Sequence, residues 1–239
     1  MVTIYLSPHL DDVALSLGGL LWEQSRIGEN VCVLTICAGD PPEGKFSPFA
    51  ESLHDRWKVG RDAMAERREE DITSCRRLGA TYHHLGIPDC IYRRSPRTGE
   101  HLYDSEDALW VPVHPDEDVL VEAISNAIVS MLSSNDSLVC PLTLGNHVDH
   151  RLTRTAAERV DVPLHYYADF PYALEEDVRC VTAGLEALQY TISPDGISAW
   201  QDAVGAHRSQ ISTFWEDLDG MSAAIRNYYD QMGGVWLWR

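Results

Sequence analysis

The sequence predicts an α/β fold built around a mainly parallel β-sheet. Short runs rich in β-branched and aromatic residues alternate along the chain with longer helical stretches, the pattern of strand–helix–strand units. One run, Val31-Cys32-Val33-Leu34-Thr35-Ile36, is almost continuously apolar, as expected for a strand buried on both faces. At 239 residues the chain can bury a large core, and we interpret residues 1–239 as a single domain.

The first half of the chain is predicted to hold three strands and two helices. The strands are expected at residues 2–7, 31–36 and 82–85, and the helices at 12–27 and 52–78. The longer helix is expected to stop at Leu78-Gly79, because glycine commonly follows the last helical residue. Residues 91–115 contain several charges, two prolines and a glycine with little periodicity, which predicts a long excursion over the sheet edge.

The second half continues the same alternation of helices and strands. Helices are predicted at 116–132 and 148–160, and strands at 138–142 and 165–168. The tail is predicted to contain helical stretches at 195–213 and 219–231 and a terminal strand at 235–238. We interpret the tryptophans of this tail as core residues rather than a platform for a sugar: Trp200, Trp215, Trp236 and Trp238.

The net charge of the protein limits the kinds of molecule that it is expected to bind. The formal net charge is −18 and the isoelectric point is near 4.8, which disfavours nucleic acid and anionic membranes but not a small neutral or cationic substrate. No apolar stretch approaches the roughly 18–20 residues that span a bilayer, so the sequence predicts no membrane span and a cytoplasmic protein. The six cysteines are scattered without a C-x-x-C pair, which predicts buried thiols rather than disulfides.

Two polar clusters follow predicted strands and carry the chemistry. The first is Pro8-His9-Leu10-Asp11-Asp12, and the second runs from Gly145 to His150. Because ligands collect at the carboxyl ends of parallel strands, we expect the clusters to converge. Imidazole and carboxylate are the ligands that zinc prefers. His9 and Asp12 are close enough in sequence to hold one ion, and His150 is the natural third ligand.

Three protein ligands would leave one coordination position for water, so the clusters predict metal-assisted hydrolysis. Asp11 lies between two predicted ligands and could accept a proton from that water. His147 precedes His150 by three residues and could donate to a developing oxyanion. Asp149 could fix the tautomer or the charge of His147.

The two clusters, together with Gly18-Gly19, resemble the motifs of the PIG-L/LmbE-like zinc-dependent N-deacetylases. Three further segments are similar to that family and keep its order along the chain: Arg67-Arg68-Glu69-Glu70, Gly86-Ile87-Pro88-Asp89 and Ala206-His207-Arg208-Ser209-Gln210. Val13 stands where the family usually has Glu, and Val148 replaces a common Pro. Neither departure removes a predicted ligand or base, so we expect the chemistry to be retained.

The resemblance implies a Rossmann-like three-layer fold and hydrolysis of an N-acyl group, commonly acetyl on glucosamine. It implies zinc held by His9, Asp12 and His150, with Asp11 as general base and His147 at the oxyanion. Arg67 resembles a substrate-binding arginine, although an ion pair with Glu70 or Asp71 is an equal alternative. The expected partner is a small N-acylated, sugar-based molecule, and a homo-oligomer is compatible with the sequence.

Three alternatives remain at this stage. The first is an amidase that acts on a non-sugar amide or a thiol conjugate, which the sequence does not separate from a sugar deacetylase. The second is an iron oxygenase, whose two-histidine-one-carboxylate triad has the same composition; the alternating α/β pattern argues against it. The third is a non-catalytic relative that binds a metal or a sugar.

Overall fold

The computed structural model describes residues 1–57 and 63–239 and contains a seven-stranded sheet. The strands occur in the spatial order β3-β2-β1-β4-β5-β7-β6. Their bounds are β1 Val2–Ser7, β2 Asn30–Thr35, β3 Thr81–His84, β4 Ser137–Pro141, β5 Leu164–Tyr167, β6 Ala187–Tyr190 and β7 Val235–Trp238. The predicted strands all lie within one or two residues of observed ones, and β6 was not predicted.

Strands β1 to β5 are parallel to one another, and β7 runs antiparallel to both of its neighbours, β5 and β6. The central strand β1 pairs with β2 on one side and β4 on the other, so that Tyr5 aligns with both Val33 and Val139. The carboxyl ends of β1 and β4 are therefore neighbours, as the predicted convergence of the two polar clusters requires. The prediction of an α/β fold with a mainly parallel sheet is confirmed.

The helices lie in two layers that cover the faces of the sheet. In the described residues the α-helices are α1 Asp12–Arg26, α2 Pro48–Trp57, α3 Ala63–Leu78, α4 Asp118–Met131, α5 Val148–Ala157, α6 Val178–Val181, α7 Pro194–Val204, α8 Arg208–Phe214 and α9 Leu218–Met232. One apolar core joins α1, α3, α7 and α9 to the sheet, and a second joins α4 and α5 to the opposite face. Alternate residues of β1 supply both cores, because Tyr5 faces the first while Ile4 and Leu6 face the second.

Two helix predictions differ from the structure in their extent. The single helical stretch predicted at 195–213 is wrong, because α7 ends at Val204 and α8 begins at Arg208. The backbone leaves the helical region at His207, whose φ and ψ are −79° and 57°. The helix predicted at 52–78 corresponds to α2 and α3, and its middle, residues 58–62, lies outside the described residues.

Gly18 and Gly19 allow α1 to pack closely against α7. The Trp200 side chain is fully buried, and its indole Nε1–H donates to the carbonyl oxygen of Ala14 at 2.8 Å. A Cβ atom on Gly18 would lie 2.5 Å from Trp200 Cδ1, and one on Gly19 would lie 2.9 Å from Trp200 Cε3. The glycine pair thus allows the N-terminal half of α1, which carries Asp12, to pack closely against the core. The interpretation of Trp200 as a core residue is confirmed.

Gly18→Ala is expected to lower the free energy of unfolding by about 1–2 kcal/mol. A contact of 2.5 Å with the fully buried Trp200 places the clash in the upper part of the usual range, at about 2–3 kcal/mol, and the better helix propensity of Ala returns roughly 1 kcal/mol. Urea denaturation measures the difference. Gly220→Ala on α9 is the matched control, because its added Cβ meets nothing closer than 3.4 Å and stability should be unchanged or slightly higher. Equal unfolding midpoints for Gly18→Ala and the wild type would contradict the packing argument.

The segment 91–115 is ordered by short 3-10 helices and by its own small core. The 3-10 helices are Cys90–Tyr92, Asp107–Trp110 and Pro115–Glu117. Buried Ile91, Tyr92 and Tyr103 pack in a cluster with Leu53 of α2 and Val148 of α5. The segment therefore lies beside the end of the sheet where the polar clusters meet. No helix of the described residues is long and apolar enough to cross a membrane.

Candidate active site

The two polar clusters meet at the carboxyl ends of β1 and β4. His9 and Asp11 occupy the turn between β1 and α1, Asp12 is the first residue of α1, and His147 and His150 lie at the start of α5. The rings of His9 and His147 are 5.0 Å apart between centroids, and those of His9 and His150 are 5.6 Å apart. The predicted convergence across more than 130 residues of chain is therefore observed.

Carboxylates behind His9 and His150 fix which ring nitrogens face the site. His9 Nε2 lies 3.0 Å from Asp149 Oδ2, and His150 Nδ1 lies 2.6 Å from Asp169 Oδ1. An ionised carboxylate only accepts hydrogen bonds, so each of these nitrogens carries the ring proton. The other nitrogen of each ring, His9 Nδ1 and His150 Nε2, is free of these rear carboxylates and faces the site.

Both free nitrogens face Asp12. Oδ2 of Asp12 lies 3.3 Å from His9 Nδ1, and Oδ1 lies 3.4 Å from His150 Nε2. A tetrahedral zinc site with bonds of about 2.0–2.1 Å places neighbouring ligand atoms about 3.3 Å apart. The backbone N–H of His9 also donates to Asp12 Oδ2 at 2.7 Å, which holds the carboxylate in this orientation. The three side chains therefore bring ligand atoms of the types that zinc prefers to one side of the site.

His147 presents a different tautomer from the other two histidines. Its Nδ1 accepts the backbone N–H of Asp149 at 3.2 Å, as the N-cap of α5. Burial, together with the neighbouring His9, lowers the pKa of His147 to about 4, so the ring is neutral and carries its proton on Nε2. Nitrogen atoms of His9, His147 and His150 lie within 4.8 Å of one another. A protonated Nε2 can donate a hydrogen bond but cannot ligate a metal.

Asp11 lies beside the three-residue group and faces Arg67 of α3. Asp11 Oδ2 is 3.8 Å from Arg67 Nη2, and both side chains are buried. Burial, followed by the Asp12 carboxylate, raises the pKa of Asp11 to about 6. Arg67 Nε has no hydrogen-bond partner within residues 1–57 and 63–239. Arg67 forms its ion pair with Asp11, whereas the alternative interpretation of the sequence expected Glu70 or Asp71 as the partner.

Glu70 and Ser209 explain why two of the sequence motifs occur together. Ser209 donates its backbone N–H to Glu70 Oε1 at 2.8 Å and its hydroxyl to Glu70 Oε2 at 2.6 Å. The Glu70 carboxylate therefore stabilises the first turn of α8 and joins it to α3. Arg67 lies one helical turn before Glu70 on α3. The contact thus supports the helix that presents Arg67 to Asp11.

The structure identifies site residues that the sequence analysis missed. Asp169 follows β5 and accepts a hydrogen bond from His150 Nδ1. Its position directly after a predicted strand was the sequence feature that could have identified it. Arg93 lies in the segment 91–115 with its Nη1 2.5 Å from Asp149 Oδ1. Although burial favours the neutral acid, Arg93 holds the pKa of Asp149 well below its usual range. The carboxylate of Asp149 contacts His9, whereas the sequence analysis assigned it to His147.

A cavity of about 220 Å³ opens onto these residues. Its floor contains His9, Asp11, Asp12, His147 and His150 with Arg67, and its wall is largely apolar and aromatic. The wall residues include Leu53, Ile91, Leu109, Trp110, Phe170, Tyr172 and Phe214. Asp89 and Glu106 add carboxylates, and Arg56 adds a cation. The cavity can admit a small organic molecule whose reacting group meets the floor.

Residues 4–160 match the family described as PIG-L, GlcNAc-PI de-N-acetylase. The chain belongs to the PIG-L family. The family predicted from the ordered motifs is therefore confirmed. The match covers β1 to β4 and α5, and so contains His9, Asp11, Asp12, His147 and His150.

Two curated relatives of this PIG-L chain are 2'-N-acetylparomamine deacetylases. The protein from Niallia circulans is 31% identical over 190 residues, which are 71% of this chain and 66% of that protein. The protein from Streptomyces fradiae is 33% identical over 188 residues, which are 73% of this chain and 59% of that protein. The matched region thus spans less than two thirds of the length of each relative.

A solved structure of the zinc inhibited form of teicoplanin deacetylase Orf2 is similar over the full PIG-L chain. The TM-score is 0.85 at 27% sequence identity, and the superposition covers 100% of this chain and 97% of that protein. The superposed region includes elements that lie beyond the matched family region, namely α7, α8, α9, β6 and β7.

Proposed function

We propose that the chain is a zinc-dependent hydrolase that removes an N-acetyl group from an amino sugar or from a conjugate that carries one. The observation that carries this proposal is the orientation of His9 Nδ1, Asp12 and His150 Nε2 toward one another, with the buried carboxylate of Asp11 alongside. Family membership and the two paromamine deacetylases support the reaction class. The teicoplanin deacetylase supports the same class over the whole fold.

The residues that would hold zinc are His9, Asp12 and His150. Their ligand types and spacing suit that ion, and His147 is unsuited as a ligand because its Nδ1 is an acceptor. A zinc ion bound there supplies Lewis-acid polarisation of the acyl carbonyl and activation of a water molecule.

Residues of the chain itself transfer the proton and stabilise the charge that develops on the substrate. Asp11 accepts the proton of the attacking water and returns it to the amine that leaves, so the carboxylate is regenerated. His147 donates from Nε2–H to the carbonyl oxygen as negative charge develops on it. Arg67 holds Asp11 and offers Nε, which has no hydrogen-bond partner among the residues that the structure describes, to a substrate hydroxyl or phosphate oxygen.

Trp110 is placed to contact the sugar. Its side chain is 37% exposed at the cavity wall, and its ring meets His147 edge-on at 5.4 Å between centroids. A pyranose bound with its acetamide at His147 would therefore lie against the indole. Glu106, four residues earlier, brings a carboxylate to the same wall and suits a substrate with a further ammonium group.

Trp110→Ala is expected to raise KM about 3–10-fold and to leave kcat within about twofold. An aromatic contact contributes about 0.5–1.5 kcal/mol, and the loss acts on binding because the indole does not touch the reacting atoms. Steady-state deacetylation of 2'-N-acetylparomamine measures both constants. Trp22→Ala, on α1 and outside the cavity wall, is the matched control. An unchanged KM in Trp110→Ala would exclude the contact.

The reaction is tested by metal analysis together with amine release. We expect one zinc per chain, amine release from N-acetylated amino sugars, loss of turnover after chelation and recovery when zinc is restored. The substrate panel should contain N-acetylglucosamine derivatives, 2'-N-acetylparomamine and acylated thiol conjugates. Turnover of only the thiol conjugates would shift the proposal to the amidase alternative. Iron dependence with a 2-oxoacid would overturn it.

A further inference from the structure

A buried arginine lies behind the proposed metal site. The Arg93 side chain is only 7% exposed, and its Nη1 lies 2.5 Å from Asp149 Oδ1. On its other edge Nε donates to Glu117 Oε1 at 2.5 Å. Tyr103 donates its hydroxyl to Glu117 Oε2 at 2.6 Å. A buried guanidinium with two carboxylate partners is therefore built into the segment 91–115, for which the sequence offered no chemical role.

Asp149 connects this arginine to a proposed zinc ligand. The carboxylate is fully buried, and Oδ1 forms an ion pair with Arg93 Nη1 without the geometry of a hydrogen bond. The other oxygen accepts the backbone N–H of Cys90 at 3.0 Å and lies 3.0 Å from His9 Nε2. Because the two oxygens have different partners, Arg93 and Cys90 together prevent the carboxylate from turning away from His9.

We propose that Arg93 is a positioning residue for the metal site, acting through Asp149 on the orientation of His9. By holding the Asp149 carboxylate in place, Arg93 keeps Asp149 Oδ2 against His9 Nε2 and so leaves His9 Nδ1 turned toward Asp12 and the metal position. This inference rests on the proposed function, since it takes His9 as a zinc ligand. Outer partners of this kind change metal affinity about 10–100-fold when they are removed.

Arg93 also has a purely structural contact, which provides the matched control. Glu117 and Tyr103 join Arg93 to the 3-10 helix before α4, on the side away from His9. Glu117→Gln weakens that contact and leaves the Arg93–Asp149 pair in place. A residue that merely stabilises the segment would therefore respond alike in Glu117→Gln and Arg93→Met.

The test is the zinc dissociation constant, measured by competition with a chromophoric chelator in the absence of substrate. Arg93→Met is expected to weaken zinc binding roughly 10–100-fold, and Arg93→Lys to weaken it less, because Lys keeps the charge but loses the planar fork. Glu117→Gln should lower the thermal midpoint while zinc affinity stays within about threefold of the wild type. A folded Arg93→Met with wild-type zinc affinity would overturn the proposal.

A double variant keeps the test decisive if Arg93→Met alone does not fold. Arg93→Met with Asp149→Asn removes both charges of that pair, so the Asp149 carboxylate is not left buried without its cation, and Glu117 keeps the hydrogen bond from the Tyr103 hydroxyl. If Arg93 acts through Asp149, this double variant binds zinc within about threefold of Asp149→Asn alone. A further loss of tenfold or more would mean that Arg93 acts by another route. Zinc bound without deacetylation by the wild type would overturn the proposed function alone, and a wild type that binds no zinc would overturn both.

Discussion

Asp11→Asn is expected to lower kcat roughly 10²–10⁴-fold while zinc content stays at the wild-type level. The amide has nearly the size of the carboxylate but cannot accept a proton from water at neutral pH. Asp11 lies beside the group of His9, Asp12 and His150 rather than within it, so the metal ligands remain. The change corresponds to about 3–5.5 kcal/mol in the activation barrier.

Asp11→Asn should act on turnover far more than on binding. The substitution removes the ion pair with Arg67, which leaves that guanidinium free to hold a substrate oxygen. We therefore expect KM to change less than about threefold, measured with kcat and zinc content on the same preparation. Asp161→Asn, an exposed aspartate after α5, is the matched control for the loss of one charge. Near-normal turnover of zinc-loaded Asp11→Asn would remove Asp11 from the role of base.

The strands of the sheet could be predicted because they are buried on both faces. Such strands produce short apolar runs, as at Val31–Ile36, and the two polar clusters begin where these runs end. Strand β6 escaped prediction because it lies at the sheet edge, where none of its residues is fully buried. The break between α7 and α8 escaped because Gly205 alone does not stop a helix when apolar residues continue on both sides.

The site could be predicted only where its residues are close in sequence. His9, Asp11 and Asp12 occur within four residues, and His147, Asp149 and His150 occur within four more. Arg93 could not be placed, because its contact with Asp149 depends on how the segment 91–115 packs against α2 and α5. The tautomers were equally inaccessible, since they depend on which distant carboxylate or backbone group each ring nitrogen meets.

Asp12→Ala and His147→Asn are expected to separate metal binding from oxyanion stabilisation. Asp12 faces both free histidine nitrogens, so its removal should weaken zinc binding by more than the roughly 10–100-fold loss expected for an outer partner. His147→Asn should keep zinc affinity within about threefold and lower kcat about 10²–10³-fold. Asn can still accept the backbone N–H of Asp149 as the N-cap, so α5 should remain intact.

The two variants therefore decide between two possible ligand sets. The nitrogens of His9, His147 and His150 are near enough to form a three-histidine site, in which His147→Asn would lose zinc and Asp12→Ala would keep it. Zinc titration of both variants, with His83→Asn as the exposed-histidine control on β3, distinguishes these outcomes. Because the Asp149 N–H donates to His147 Nδ1, a ring that bound zinc through Nε2 would have to carry its proton on Nδ1 and lose that hydrogen bond. The set of His9, Asp12 and His150 avoids that loss. We therefore expect Asp12→Ala to lose zinc binding and His147→Asn to retain it.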